Sequence, residues 1–136
     1  MKKLYLFVLT TLFISSSYSF ADDVFLREYM PIKKIQQKWN SKIKFDPTNF
    51  KGSSSEIKAT MVYDLIASKR YIKQPVDKVF NDLGPSTGLF FSEMVPAYVI
   101  GNINEKPDEL WQVVFLLTRD SKYIEKVVVH KKCCYK

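Results

Sequence analysis

The sequence predicts an α+β fold in which two helices pack on a three-stranded antiparallel meander (α-α-β-β-β), after an irregular N-terminal segment. Two observations lead to this class. Apolar residues recur at helical spacing between residues 56 and 83, and the period changes from 3.6 to 2 after Gly84. A chain of 136 residues has room for one domain with a modest core. Incomplete alternation along the strands favours a sheet with one face covered and the other in solvent.

The two helices are predicted from their apolar stripes and their end signals. In the first, residues 56–68, large apolar side chains recur at every third or fourth position after a serine suited to cap the helix. The second, residues 75–83, opens with Pro75, whose missing N–H costs nothing in a first turn, and stops at Gly84. We expect both stripes to belong to the core.

The three strands are predicted for residues 97–103, 109–118 and 123–131. In the second, large apolar residues recur at every other position, which is the period of a strand. Residues 89–91 are expected to begin the first strand, which Pro96 interrupts.

The segment 22–55 is predicted to be irregular, with a few short elements. Residues 32–39 have the spacing of a short helix, and residues 43–45 alternate like a short strand. Residues 46–49 (DPTN) have the composition of a turn.

Residues 1–21 have the layout of a secretory signal peptide. Two lysines form a basic start, an apolar run covers residues 4–14, and Ser19 and Ala21 are small residues at the −3 and −1 positions of a cleavage site after Ala21. The alternative is a membrane anchor, but the run is shorter than the roughly 20 residues of a spanning helix. We therefore expect the processed chain in the periplasm or secreted.

The charge balance permits acidic partners, and the alternative is a solvated surface with a surplus of lysines. The formal net charge is +7, and it becomes +5 when the two lysines leave with the signal peptide. Export argues against a nucleic-acid partner. A mild positive charge suits acidic proteins or a peripheral contact with anionic lipid.

The two cysteines, Cys133 and Cys134, are adjacent and close to the chain end. Export implies an oxidising space in which disulfides persist. The sequence leaves three states open: a strained bond between the two neighbours, free thiols, or an intermolecular bond to a partner or to a second copy, which gives a disulfide-linked dimer.

Residues suited to catalysis are sparse. His130 is the only histidine, and we expect it on the surface of the last strand. Asp64 and Asp82 could pair across the helices, but solvent-facing charges explain them as well. The four glycines are scattered and form no phosphate loop. We expect no enzyme activity, no cofactor and no metal.

Large apolar residues crowd the stretch after the second helix, and a two-layer fold has no room for all of them in its core. An exposed aromatic cluster commonly marks a contact site. The alternative is that half of them pack under the helices and the rest cover the sheet edge. The partner-binding candidates are Leu89, Phe90, Phe91, Met94, Tyr98, Trp111 and Tyr123. The last three are expected to stack across neighbouring strands.

Several short motifs resemble one family of small envelope proteins. They are residues 61–66 (MVYDLI), residues 79–85 (VFNDLGP), residues 98–101 (YVIG) and the hairpin 110–129. Together they resemble the SmpA/OmlA (BamE-like) family of bacteria. The resemblance implies a domain over residues 56–132, followed by a short tail, 133–136.

The chain departs from the family pattern at three places. Pro85 directly follows Gly84, whereas the family proline often lies two places after that glycine. Lys73 and Pro75 stand where the family usually has Gly and then Ser or Thr at the start of the second helix, and no lipidation Cys lies at the signal cleavage site. The resemblance implies a non-catalytic protein-interaction module that supports outer-membrane protein assembly or envelope integrity, with envelope or outer-membrane proteins as partners. The alternative is a secreted or periplasmic inhibitor of a hydrolase, because the shape is also similar to that of β-lactamase-inhibitory protein repeats.

Overall fold

The computed structural model describes residues 29–106 and 109–131. In this part of the chain, helices precede a three-stranded antiparallel sheet of order β1-β2-β3, which confirms the α+β class. The elements are α1 (Ile32–Trp39), α2 (Pro47–Gly52), α3 (Ser55–Ala67), α4 (Val76–Leu83), β1 (Ala97–Ile100), β2 (Trp111–Leu117) and β3 (Ile124–Lys131). The predicted signal peptide and the two cysteines lie outside the described residues.

The two predicted helices are α3 and α4, within one residue of their expected ends. The Ser54 side chain caps α3 by accepting a hydrogen bond from the N–H of Ile57 at 3.4 Å. Helix α4 follows Pro75 and ends at Gly84, which adopts φ 81°. That left-handed value favours glycine, so the residue type itself stops the helix.

In the described part of the N-terminal segment, residues 29–55, there is more helix than the sequence predicts. Helix α1 has its predicted bounds, but the predicted turn at 46–49 is wrong, because α2 begins there. The Asp46 side chain accepts a hydrogen bond from the N–H of Asn49 at 2.8 Å, and Phe50 is fully buried. The predicted strand at 43–45 is also wrong. The N–H of Phe45 donates instead to the Asp64 carboxylate at 2.8 Å.

One face of the sheet packs against the helices and forms the main core. In the register, Tyr98 lies opposite Val113 and Phe115 opposite Val127, all with their side chains in this core. Edge-to-face ring contacts link the layers, for example Tyr71 to Phe115 at 5.6 Å between ring centres. These ring contacts join the helical layer to β1 and β2.

The other face of the sheet is also covered, which contradicts the expected solvent-facing side. A second apolar cluster forms there from Phe90, Ala97, Val114 and Val128. Phe90 reaches it from the irregular segment between α4 and β1, residues 85–96, which we call the cover segment. Residues 89–91 are therefore not part of β1, and they lie over the sheet instead.

Candidate interaction surface

The cover segment is fastened to the sheet by a buried glutamine in β2. Gln112 is fully buried, and its side chain meets the backbone of Leu89 twice. The N–H of Leu89 donates to Gln112 Oε1 at 3.2 Å, and Gln112 Nε2 donates to the carbonyl of Leu89 at 3.0 Å. Both polar ends of the amide are thus satisfied, as burial requires.

The absence of a side chain at Gly88 leaves room for these two hydrogen bonds. A Cβ atom at this position would lie 2.3 Å from Gln112 Oε1. Since Gln112 is buried and bonded at both ends, it has little freedom to move away. The N–H of Gly88 also donates to the carbonyl of Ala97 at 2.9 Å. Glycine therefore allows the cover segment to approach the sheet closely.

Two side-chain hydroxyls of the cover segment form further hydrogen bonds with the outer edge of β1. Ser86 Oγ accepts a hydrogen bond from the N–H of Ala97, and Thr87 Oγ1 accepts one from the N–H of Val99, both at 3.0 Å. The cover segment therefore satisfies this edge of the sheet, as protein edges generally require.

The tip of the cover segment projects two large apolar side chains. Phe91 is 58% exposed and Met94 is 65% exposed. Phe91 adopts φ 60°, a left-handed conformation that costs a non-glycine residue about 1–2 kcal/mol. Its ring packs edge-to-face on Phe90, with 4.7 Å between ring centres. We call Phe91 and Met94 the apolar tip.

A hollow of ≈ 620 Å³ lies between the cover segment and α4. Its lining includes Pro85, Leu89 and Glu93 from the cover segment and Phe80 from α4. Leu89 and Glu93 belong to the same segment as Phe91 and Met94, but neither Phe91 nor Met94 lines the hollow.

The seven predicted contact residues differ in burial and position in the structure. Leu89 is half-buried beside the apolar tip, and Phe90 is buried beneath it, so Phe90 supports the surface and does not belong to it. The prediction that Tyr98 is a contact residue is wrong, because its side chain is buried in the main core. There its hydroxyl donates to the carbonyl of Gly84 at 2.7 Å.

Trp111 and Tyr123 lie away from the tip, and the predicted stacking with Tyr98 is wrong. Trp111 faces the helices and contacts the Trp39 ring at 6.2 Å between centres. Tyr123 precedes β3, is exposed, and bridges to Pro75. The three aromatic side chains therefore have separate surroundings.

His130 is buried, contrary to the expected surface position. It lies on the covered face of the sheet, with the Tyr29 ring 5.3 Å and the Phe90 ring 5.2 Å from its own. Its Nδ1 contacts the carbonyl of Lys131. The sequence prediction failed here because it left this face of the sheet in solvent.

The two candidate carboxylates have separate structural partners. Asp64 accepts the N–H of Phe45, as described above. Asp82 accepts the Tyr71 hydroxyl at 2.9 Å and pairs with Lys78 at 3.2 Å. Burial, with the Asp82 contact second, raises the pKa of Tyr71 above its usual value. Both carboxylates therefore hold elements of the fold together.

Sequence reasoning missed Gln112 and Gly88. The signal in the sequence is a single amide near the start of an otherwise apolar strand, a polar group that needs a partner once it is buried.

Within residues 29–106 and 109–131, no three His, Cys, Asp or Glu residues gather where they could hold a metal ion. The same residues contain no helix with the length and apolarity to cross a bilayer. No protein-family model, curated protein or solved structure matches the chain.

Proposed function

We propose that the protein is an exported, non-catalytic interaction module of the bacterial cell envelope that binds a protein partner through its apolar tip. The observation that carries the proposal is the exposure of Phe91 and Met94 on a segment whose backbone is held by Gln112. Large apolar side chains that are held in place before binding lose little freedom when a partner covers them.

The energetics favour a contact surface at this place. Burying the part of one such side chain that is still exposed contributes about 1–2 kcal/mol from apolar area alone. The left-handed backbone of Phe91 costs stability and is kept in place by the contacts beneath it. Strain of this kind concentrates at functional segments.

The setting of the proposal comes from the sequence. The predicted signal peptide supports export, and the resemblance to the SmpA/OmlA (BamE-like) family supports a role in outer-membrane protein assembly or envelope integrity. Envelope or outer-membrane proteins are therefore the proposed partners. The net charge of +5 after processing supports an additional peripheral contact with anionic lipid.

Inhibition of a hydrolase is the second candidate. It is favoured by the same projecting ring, because inhibitor loops are held in the binding conformation before they meet the enzyme. In that case the apolar tip would enter a cleft of one soluble enzyme.

The experiment is a pull-down of the tagged chain from detergent-solubilised envelopes of its source, with and without reductant. The wild type is compared with Phe91→Ser and Met94→Ser. Ile57→Ser is the control, since Ile57 is 50% exposed on α3, in the helical layer. We expect outer-membrane or envelope proteins with the wild type and the control, and at least tenfold less with the tip variants.

Other outcomes separate the alternatives. Recovery of a single soluble enzyme supports the inhibitor. A covalent copy of the chain that is lost with reductant indicates a dimer through Cys133 or Cys134. Equal recovery with all variants contradicts a contact through the apolar tip.

A further inference from the structure

The outer edge of β3 differs from the outer edge of β1. Near its C-terminal end, the carbonyl of Val129 accepts the N–H of Met30 at 2.9 Å. Near its start, both backbone groups of Ile124 are bonded on this edge: its carbonyl accepts the N–H of Lys73, and its N–H donates to the carbonyl of Gln74. Both ends of this edge are thus closed by backbone hydrogen bonds.

The middle of the edge is open among the described residues. Backbone groups along a strand point alternately to its two sides, so Val127 presents its N–H and C=O on the same side as Val129. No backbone group of residues 29–106 or 109–131 bonds Val127 on that side. From Ile124 to Val129 the edge extends about 16 Å, which is room for a few extended residues.

Apolar hollows follow this open edge. One of ≈ 310 Å³ lies between Ile66, Ile72 and Val127. It shares Ile72 with a second hollow of ≈ 450 Å³ and Ile66 with a third of ≈ 300 Å³. The three hollows therefore form one groove beside β3, which we call the edge groove.

The charges of the edge groove select the kind of occupant. Lys69, Lys73 and Lys126 line it, against one acidic residue, Glu125. All three lysines are exposed, and none forms an ion pair with another residue in the described part of the chain. An acidic segment would complement them.

We propose that the edge groove binds an extended, acidic peptide segment of a partner protein by adding it as a strand to β3. This inference rests on the proposed interaction function and names the chemistry of a partner segment. Backbone hydrogen bonds to Val127 provide the pairing, the apolar hollows take alternate side chains of the peptide, and the lysines favour acidic residues between them.

The test begins with selection of binders from a random-peptide phage library on the full chain, expressed for export. We expect the selected peptides to alternate apolar residues with acidic ones, and enrichment of peptides without acidic residues would contradict the charge argument. Failure to enrich any peptide would overturn the proposal, and the lysines would then serve only to keep other strands from this edge.

The position of binding is measured by amide hydrogen exchange with the selected synthetic peptides. We expect the amide of Val127 to exchange more slowly when the peptide is bound. A peptide of the same sequence with N-methylated backbone amides is the matched control and should lose binding. Protection confined to the apolar tip would contradict the edge groove.

The charge argument is tested by reversing the charge of an exposed lysine, because a change at the surface leaves the core intact. Lys126→Glu should weaken binding about threefold, the scale of an exposed ion pair, whereas Lys42→Glu, exposed and outside the groove, should not. Equal affinity of both variants would contradict the charge argument. Phe91→Ser should bind the peptides normally, so failure at the edge groove is distinguishable from failure at the apolar tip.

Discussion

Replacing Gly88 with alanine should break the contact between the cover segment and Gln112. The added Cβ would lie 2.3 Å from Gln112 Oε1, and 3.4 Å from the carbonyl of Ala97. The second distance is tolerable, but the first forces the buried amide to move. We therefore expect Gly88→Ala to break both hydrogen bonds between Gln112 and Leu89.

The size of the effect follows from those two bonds. Each is worth about 0.5–1.5 kcal/mol, so Gly88→Ala should lower the free energy of unfolding by about 1–3 kcal/mol. Gln112→Ala loses the same bonds and a buried methylene, and should cost about 2–4 kcal/mol. The double variant should cost no more than Gln112→Ala alone, since the clash is gone. The coupling energy is then about 1–3 kcal/mol.

The assay is urea unfolding of the four proteins in a double-mutant cycle. Gly52→Ala is the control, because nothing lies within 4 Å of a Cβ at that position. It should leave stability unchanged or slightly raised. Additive effects of Gly88→Ala and Gln112→Ala would refute the reasoning, since the two changes would then act independently.

Two further predictions concern the core. Burial raises the pKa of Tyr71 and of Tyr98 above the usual value. The neutral phenols therefore stabilise the folded state fully below about pH 10, and this stabilisation is lost as the pH rises toward the folded-state pKa. The free energy of unfolding should fall by up to about 1.4 kcal/mol per pH unit for each tyrosine above pH 10. Tyr98→Phe should reduce that slope. An equally steep fall in the Tyr98→Phe variant would contradict the prediction. Gly101→Ala should cost at least about 1–2 kcal/mol, because Gly101 has φ 79° and a Cβ would lie 2.8 Å from Trp39 Nε1. Urea unfolding checks this, and wild-type stability would argue against the close approach.

The helices and strands could largely be predicted, because their periods and end signals are local. Helix α2 could not, because Asp46 followed by proline begins a turn and a helix with the same hydrogen bond. Burial of Phe50 favours the helix, and this burial depends on residues far along the chain. Short elements of this kind are determined by tertiary packing.

The candidate site was predicted in part. The sequence predicts a contact site in the apolar stretch after α4, and the structure exposes Phe91 and Met94 there, but periodicity cannot tell which residues of the stretch turn inward. Phe90 packs on the sheet, whereas its neighbour Phe91 projects because its backbone is left-handed. The burial of His130 follows from the same packing, since Phe90 covers the face on which the histidine lies.

The most direct test of the apolar tip is site-specific photocrosslinking in intact cells of the source. A photoreactive phenylalanine analogue replaces Met94 in one strain and Ile57 in another, two apolar positions that are both at least half exposed. We expect a discrete crosslinked envelope protein from position 94 and none from position 57. Identical products from both positions, or none from position 94, would contradict the proposed contact surface.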